Sequence, residues 1–78
     1  MLITKVRESS VCREWDVAVA GRNYRATCYW SYGCQRMTWL VEVEVSPPQV
    51  QTHWRRINGR WLINAVREHE NAATAAAV

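Results

Sequence analysis

Residues 11–45 read VCREWDVAVAGRNYRATCYWSYGCQRMTWLVEVEV, three successive runs in which apolar and polar side chains alternate. Alternation with a period of two is the mark of a strand with one hidden face. If Gly21-Arg22 is a two-residue turn with glycine first, Val19 faces Tyr24, Val17 faces Ala26, Trp15 faces Cys28 and Arg13 faces Trp30. If Tyr32 to Gln35 form the next loop, Trp30 meets Met37, Cys28 meets Trp39, Ala26 meets Val41 and Tyr24 meets Val43. The two turns, chosen independently, select the same buried face. A slip of one residue in either would turn that whole set toward water. The opposite face carries Glu14, Asp16, Arg25, Thr27, Tyr29, Thr38, Leu40, Glu42 and Glu44, with Arg25 across from Glu42, and reads as a solvent face.

Working outward, residues 2–7 form a first strand, and Ser9-Ser10 a turn into the run at Val11. Ser46-Pro47-Pro48 stops the sheet, because proline lacks the donor a central strand needs. Residues 49–70 fit two periods. As a helix, Ser46 caps, Pro47 takes the first position, and Val50, Trp54, Ile57, Trp61 and Ala65 recur at helical spacing, with Leu62, Val66 and His69 beside them. As a hairpin, Asn58-Gly59 supplies a type I′ turn, with Trp54 opposite Ile63, Arg56 stacked on Trp61 and Thr52 opposite Ala65. Glycine is costly inside a helix and favoured at this hairpin position, so Gly59 tips the reading to the hairpin. The expected fold is therefore mainly β: an antiparallel meander of about five to six strands. Its alternative is an α+β fold with one helix over residues 47–70. Residues 1–70 make one small domain, and the alanine-rich residues 71–78 a frayed or flexible tail.

A chain of 78 residues needs a dense core to be stable alone. Five Trp and three Tyr with no Phe supply it, and every one of these aromatics carries a polar handle suited to a surface that is dry at one end and wet at the other. The net charge is +3, and all but one of the ten basic residues are Arg. Guanidinium forks suit carboxylates, phosphates and aromatic faces. The opening residues lack the apolar core of a signal peptide, and no run reaches the length of a membrane span, so a cytoplasmic protein is expected. Three cysteines in that setting argue against a disulfide framework. Cys28 falls on the buried face, Cys12 on the outer face opposite Ser31, and Cys34 in a loop.

Catalytic chemistry finds little purchase. Cys12, Cys28, Cys34, His53 and His69 show no short paired spacing of the kind zinc sites use, so neither metal nor cofactor is expected. No serine or cysteine has a histidine and an orienting group nearby in sequence. Gly21, Gly33 and Gly59 are spent on turns rather than on a phosphate loop. An enzyme is therefore not expected, and that reading would be rescued only by activity that disappears on replacing Cys34 or His53; what remains are surfaces. One candidate is the cluster Trp54, Arg55, Arg56, Arg60 and Trp61. The other surrounds the second turn, with Tyr29, Trp30, Tyr32 and Arg36, and Arg13 able to lie over Trp30. Arginine interleaved with aromatics marks protein hot spots, and it also binds phosphate and stacks on bases.

In the helix alternative, three antiparallel strands followed by a helix resemble the plant AP2-type DNA-binding domain in element order. Only Arg13 and Trp15 match its Arg and Trp strand pattern, and Trp15 lies on the face assigned to the core, so no residue role carries over. In size and lack of catalytic motifs the chain is similar to the small blocking proteins of bacteriophage and mobile elements, anti-CRISPR inhibitors among them. That likeness implies a partner in a larger host protein or nucleoprotein complex. A non-enzymatic binding protein acting by stoichiometric contact is the expectation. Direct binding of nucleic acid is the alternative, and an edge-to-edge homodimer is compatible with either.

Overall fold

The computed structural model describes residues 1–45 and 53–76. One sheet of five antiparallel strands is followed by one helix: β1 (Leu2–Glu8), β2 (Cys12–Val19), β3 (Arg22–Ser31), β4 (Arg36–Val45), β5 (His53–Arg56) and α1 (Arg60–Ala76). The strands lie side by side in chain order, a simple meander. The mainly β architecture expected from the alternation is the one observed. The Ser46-Pro47-Pro48 stop, with Val50 and Thr52 of the two expected patterns, lies outside the described residues.

Register decides what each face displays. Between β3 and β4 the pairs are those expected, with Ala26 opposite Val41, Cys28 opposite Trp39, Trp30 opposite Met37 and Arg25 opposite Glu42. Between β2 and β3 the turn is Ala20-Gly21 rather than Gly21-Arg22. Trp15 therefore faces Ala26, Val17 faces Tyr24, Arg13 faces Cys28 and Cys12 faces Tyr29. Both turn residues have positive φ, 53° at Ala20 and 73° at Gly21, the backbone of the type I′ turn that matches strand twist. The register is shifted by two residues from the expected one. A shift of two preserves the face of every side chain, so the core set survives while the individual partners change.

The last third departs further from expectation. Residues 54–63 are not a hairpin: Trp54 pairs with Glu44, and Arg56 with Glu42, across to β4. Asn58-Gly59 is not a type I′ turn but the entry to α1, where the Gly59 carbonyl accepts the N–H groups of Leu62 and Ile63 at 2.9 and 3.0 Å. Neither does the helix begin at Pro47. It starts at Arg60 and runs through residues 71–76, inside the stretch read as a tail.

The cause lies in the sheet. A hidden face on a single sheet needs a second layer over it, and a sixth strand would have left Trp15, Val17, Ala26 and Val41 bare. Leu62 and Val66, one turn apart, close that face and are themselves fully buried. Gly59 fits because the helix enters directly over β4. A Cβ at that position would overlap a γ-methyl of Val41, so glycine is selected by close approach rather than by turn geometry.

Candidate binding surfaces

The core leaves two surfaces with chemistry on them: the open face of the sheet, and the helix side where α1 covers the sheet incompletely. On the open face the arginine of β3 is held in place. The Arg25 guanidinium lies over the Trp54 ring, 4.1 Å from its centroid, and its Nε stands 3.9 Å from Asp16 Oδ1. That Nε is buried without a hydrogen-bond partner. Asn23 Nδ2 donates to Glu44 at 3.4 Å in the adjacent row. Across the sheet, Asp16, Arg25, Glu42 and Arg56 stand in one row of alternating sign, which is cross-strand charge pairing.

Strand pairing also shows where the net charge sits. Arg7, Arg25, Arg36 and Arg56 share the open face with Glu14, Asp16, Glu42 and Glu44 and cancel them. The remaining cations, Lys5, Arg13, Arg22, Arg55, Arg60 and Arg67, lie on the helix side with Glu8, Glu68 and Glu70. The whole excess of +3 is therefore on one side of the molecule.

The strongest feature of that side is a clasp between helix and sheet. The Trp15 indole N–H donates to Glu70 Oε1 at 2.6 Å, and Lys5 Nζ reaches Glu70 Oε2 at 3.1 Å. Burial pushes the Glu70 carboxyl up, but the hydrogen bonds from Trp15 and Lys5, with the charges of Lys5 and His69, hold it below its ordinary value. Hydrogen bonding to Glu70 raises Lys5 against its own desolvation. Both groups are used in this clasp.

Beside the clasp lies a trough of about 370 Å³. Trp15, Cys28 and Trp39 floor it, Val66, Arg67 and Asn71 wall it, and Arg13 and Met37 stand at its open end. Trp15 and Trp39 are stacked, centroids 5.6 Å apart, with the Arg67 guanidinium 5.7 Å over Trp39 and that of Arg13 6.0 Å over Trp15. Among the described residues, neither of these two arginines has a carboxylate within ion-pair distance. On the other side of Trp39 a second hollow is lined by Ile57, Ile63 and Arg56. Between the hollows runs an open strand edge. β5 pairs with Glu42 to Val45 only, and the Ile57 N–H closes on the Val41 carbonyl at 2.9 Å. Among the described residues nothing pairs with that side of residues 36–40.

Comparison of the chain with protein-family models, curated proteins and solved structures finds no match. The residues alone must carry the functional argument. Among those described, no three of His, Cys, Asp and Glu converge as metal ligands would, and no helix is long and apolar enough to cross a membrane.

The two surfaces expected from sequence are redistributed. Trp54 and Arg56 lie on the open face, Arg55 on the helix side opposite Val43, and Arg60 is the exposed first residue of α1. Trp61 is turned edge-on to Tyr24, centroids 5.2 Å apart at 89°, rather than stacked with Arg56. The second cluster is divided too. Trp30 is on the helix side, paired with Met37, whereas Tyr29 opposite Thr38 and Arg36 opposite Ser31 are on the open face. Tyr32, 82% exposed, occupies the turn. Arg13 lies over Trp15 and not over Trp30. Sequence reading missed the trough's Met37, Trp39 and Arg67, the first two because they were assigned to a closed core. The available signal was Arg67 next to Val66 on the helical stripe.

Proposed function

We propose that this is a small non-enzymatic binding protein that acts by stoichiometric contact, through its helix side, with a larger protein or nucleoprotein complex. The segregation of charge supports this reading most: the open face neutralises itself, while the other side joins the entire net charge to an arginine-flanked aromatic trough. Such a surface suits an anionic partner with apolar anchors. Glu70 and Lys5 are engaged in the clasp, and Asp16 stands beside Arg25. A chain of this size that presents one such surface fits the economy of a phage or mobile-element inhibitor, which blocks by occupying a site.

A nucleic acid is the weaker reading, because four of the five tryptophan rings are engaged within the protein and only the exposed Trp30 is without such a contact among the described residues. Trp15 and Trp39 stack on each other, Trp54 is covered by Arg25, and Trp61 abuts Tyr24. Base stacking requires an available ring face. The test is isolation of the tagged full chain from cells of its natural host, with the mass of the eluted species measured by light scattering. A partner at fixed ratio, lost on Arg13→Glu with Arg67→Glu, is expected. A chain that elutes alone, or nucleic acid whose binding falls steeply with salt, overturns it.

A further inference from the structure

Resting on that reading, we propose that residues 36–40 of β4 are a strand-addition site for an acidic, extended segment of the partner. Exposed strand edges are templates for pairing, and proteins blunt those they do not use. The outer edge of β1 is blunted, with a register shift between Lys5 and Arg7 and the Lys5 side chain committed to Glu70. Residues 36–40, Arg-Met-Thr-Trp-Leu, carry no proline, lysine or register break, and among the described residues this stretch of β4 is paired on one side only. An added strand would hydrogen-bond this edge through its main chain and use alternate side chains for specificity. Side chains two residues apart stand about 7 Å from each other along a strand. Two successive ones would stand beside Met37 and Trp39, reaching the trough at one end and stopping short of Ile57, which closes on Val41, at the other.

Charge selects the occupant. Arg67 lies over Trp39 and Arg13 over Trp15 at the mouth of the trough, and among the described residues neither has a carboxylate within ion-pair distance. Against these, Glu70 is already held by Trp15 and Lys5, and residues 36–40 contain no carboxylate. A second copy of the chain paired through the same edge would bring both sets of arginines together, so a carboxylate-bearing strand is the better fit.

The experiment is selection of a random-peptide display library against the full chain, followed by amide hydrogen exchange with and without the selected peptides. Expected are sequences alternating Asp or Glu with bulky apolar residues, slowed exchange at residues 36–40, and about a tenfold loss of affinity on Met37→Glu or Arg67→Gln. Arg7→Gln, on the open face of β1 and opposite Glu14, should leave binding unchanged. Met37 and Arg67 are exposed, and circular dichroism verifies that each variant folds. If Met37→Glu does not fold, Arg67→Gln decides. Peptides indifferent to both variants, protection confined to other strands, self-association through β4, or preference for a single-stranded oligonucleotide pool would each overturn the site. Binding lost only on Arg25→Gln moves the contact to the open face and leaves stoichiometric contact standing. That broader reading falls instead with a chain that elutes alone, or with nucleic acid whose binding falls steeply with salt.

Discussion

The Trp15 indole donates to the Glu70 carboxylate across 55 positions of sequence, so the most deeply buried aromatic of the sheet is bonded to the end of the helix stripe that covers it. Lys5 completes the contact from β1. The clasp therefore ties the first strand, the second strand and the helix together, and it limits how far the helix can lift from the trough beside it.

Protonating Glu70 should loosen that clasp. Its folded-state pKa lies below the ordinary 4.5, so the stability it contributes is fully present above pH 4.5 and is lost as pH falls through the lowered value. Lys5, raised above 10.5, contributes stability present below pH 10.5 and lost as pH rises through its raised value. Glu70→Gln should cost about 1 kcal/mol at neutral pH, with a smaller difference from the parent chain in acid. Urea titrations across pH measure both, and a Gln variant whose deficit stays constant into acid would refute the assignment.

Gly59 is fixed by its neighbour. Gly59→Ala should destabilise by about 2 kcal/mol, since the added methyl meets the side chain of buried Val41. Val41→Ala in the same chain should recover part of that loss, a coupling that a double-mutant cycle reads directly. Additive losses would mean that the glycine is needed for backbone freedom instead.

How much of this was legible in sequence depended on what was asked of each residue. The two-residue period of 11–45 carried the sheet and its core, and it tolerated a wrong turn because a register shift of two leaves faces intact. The helix was harder, because Gly59 was weighed only against turn and helix propensity. Its reason lies in Val41, a contact between segments that no local rule contains. Asking what would cover Trp15 and Val17 would have pointed to Leu62 and Val66. The arginine and aromatic clusters were legible as composition but not as surfaces, since neighbours such as Trp54 and Arg55 on a strand point to opposite faces.

The helix should be worth more than any single open-face contact. Leu62→Ala and Val66→Ala each empty a fully buried position under α1, and about 2–4 kcal/mol is expected for Leu62→Ala, with less for the smaller valine. Arg25→Ala should cost only about 1 kcal/mol, the size of a partly exposed cation–π contact. Thermal or urea denaturation ranks the three, and the reverse order would make the open face the structural one.

The Ala20-Gly21 turn offers the opposite sign. Ala20 holds φ at 53°, a left-handed conformation that costs alanine about 1 kcal/mol and that asparagine adopts readily. Ala20→Asn creates the Asn-Gly pair favoured in type I′ turns, and position 20 is exposed, so no packing opposes the change. A gain of about 0.5–1 kcal/mol in urea denaturation is expected. The Gly21-Arg22 turn would place position 20 in the strand, where asparagine is disfavoured and the same substitution would lower stability, so the sign of the effect discriminates between the two registers of β2 on β3.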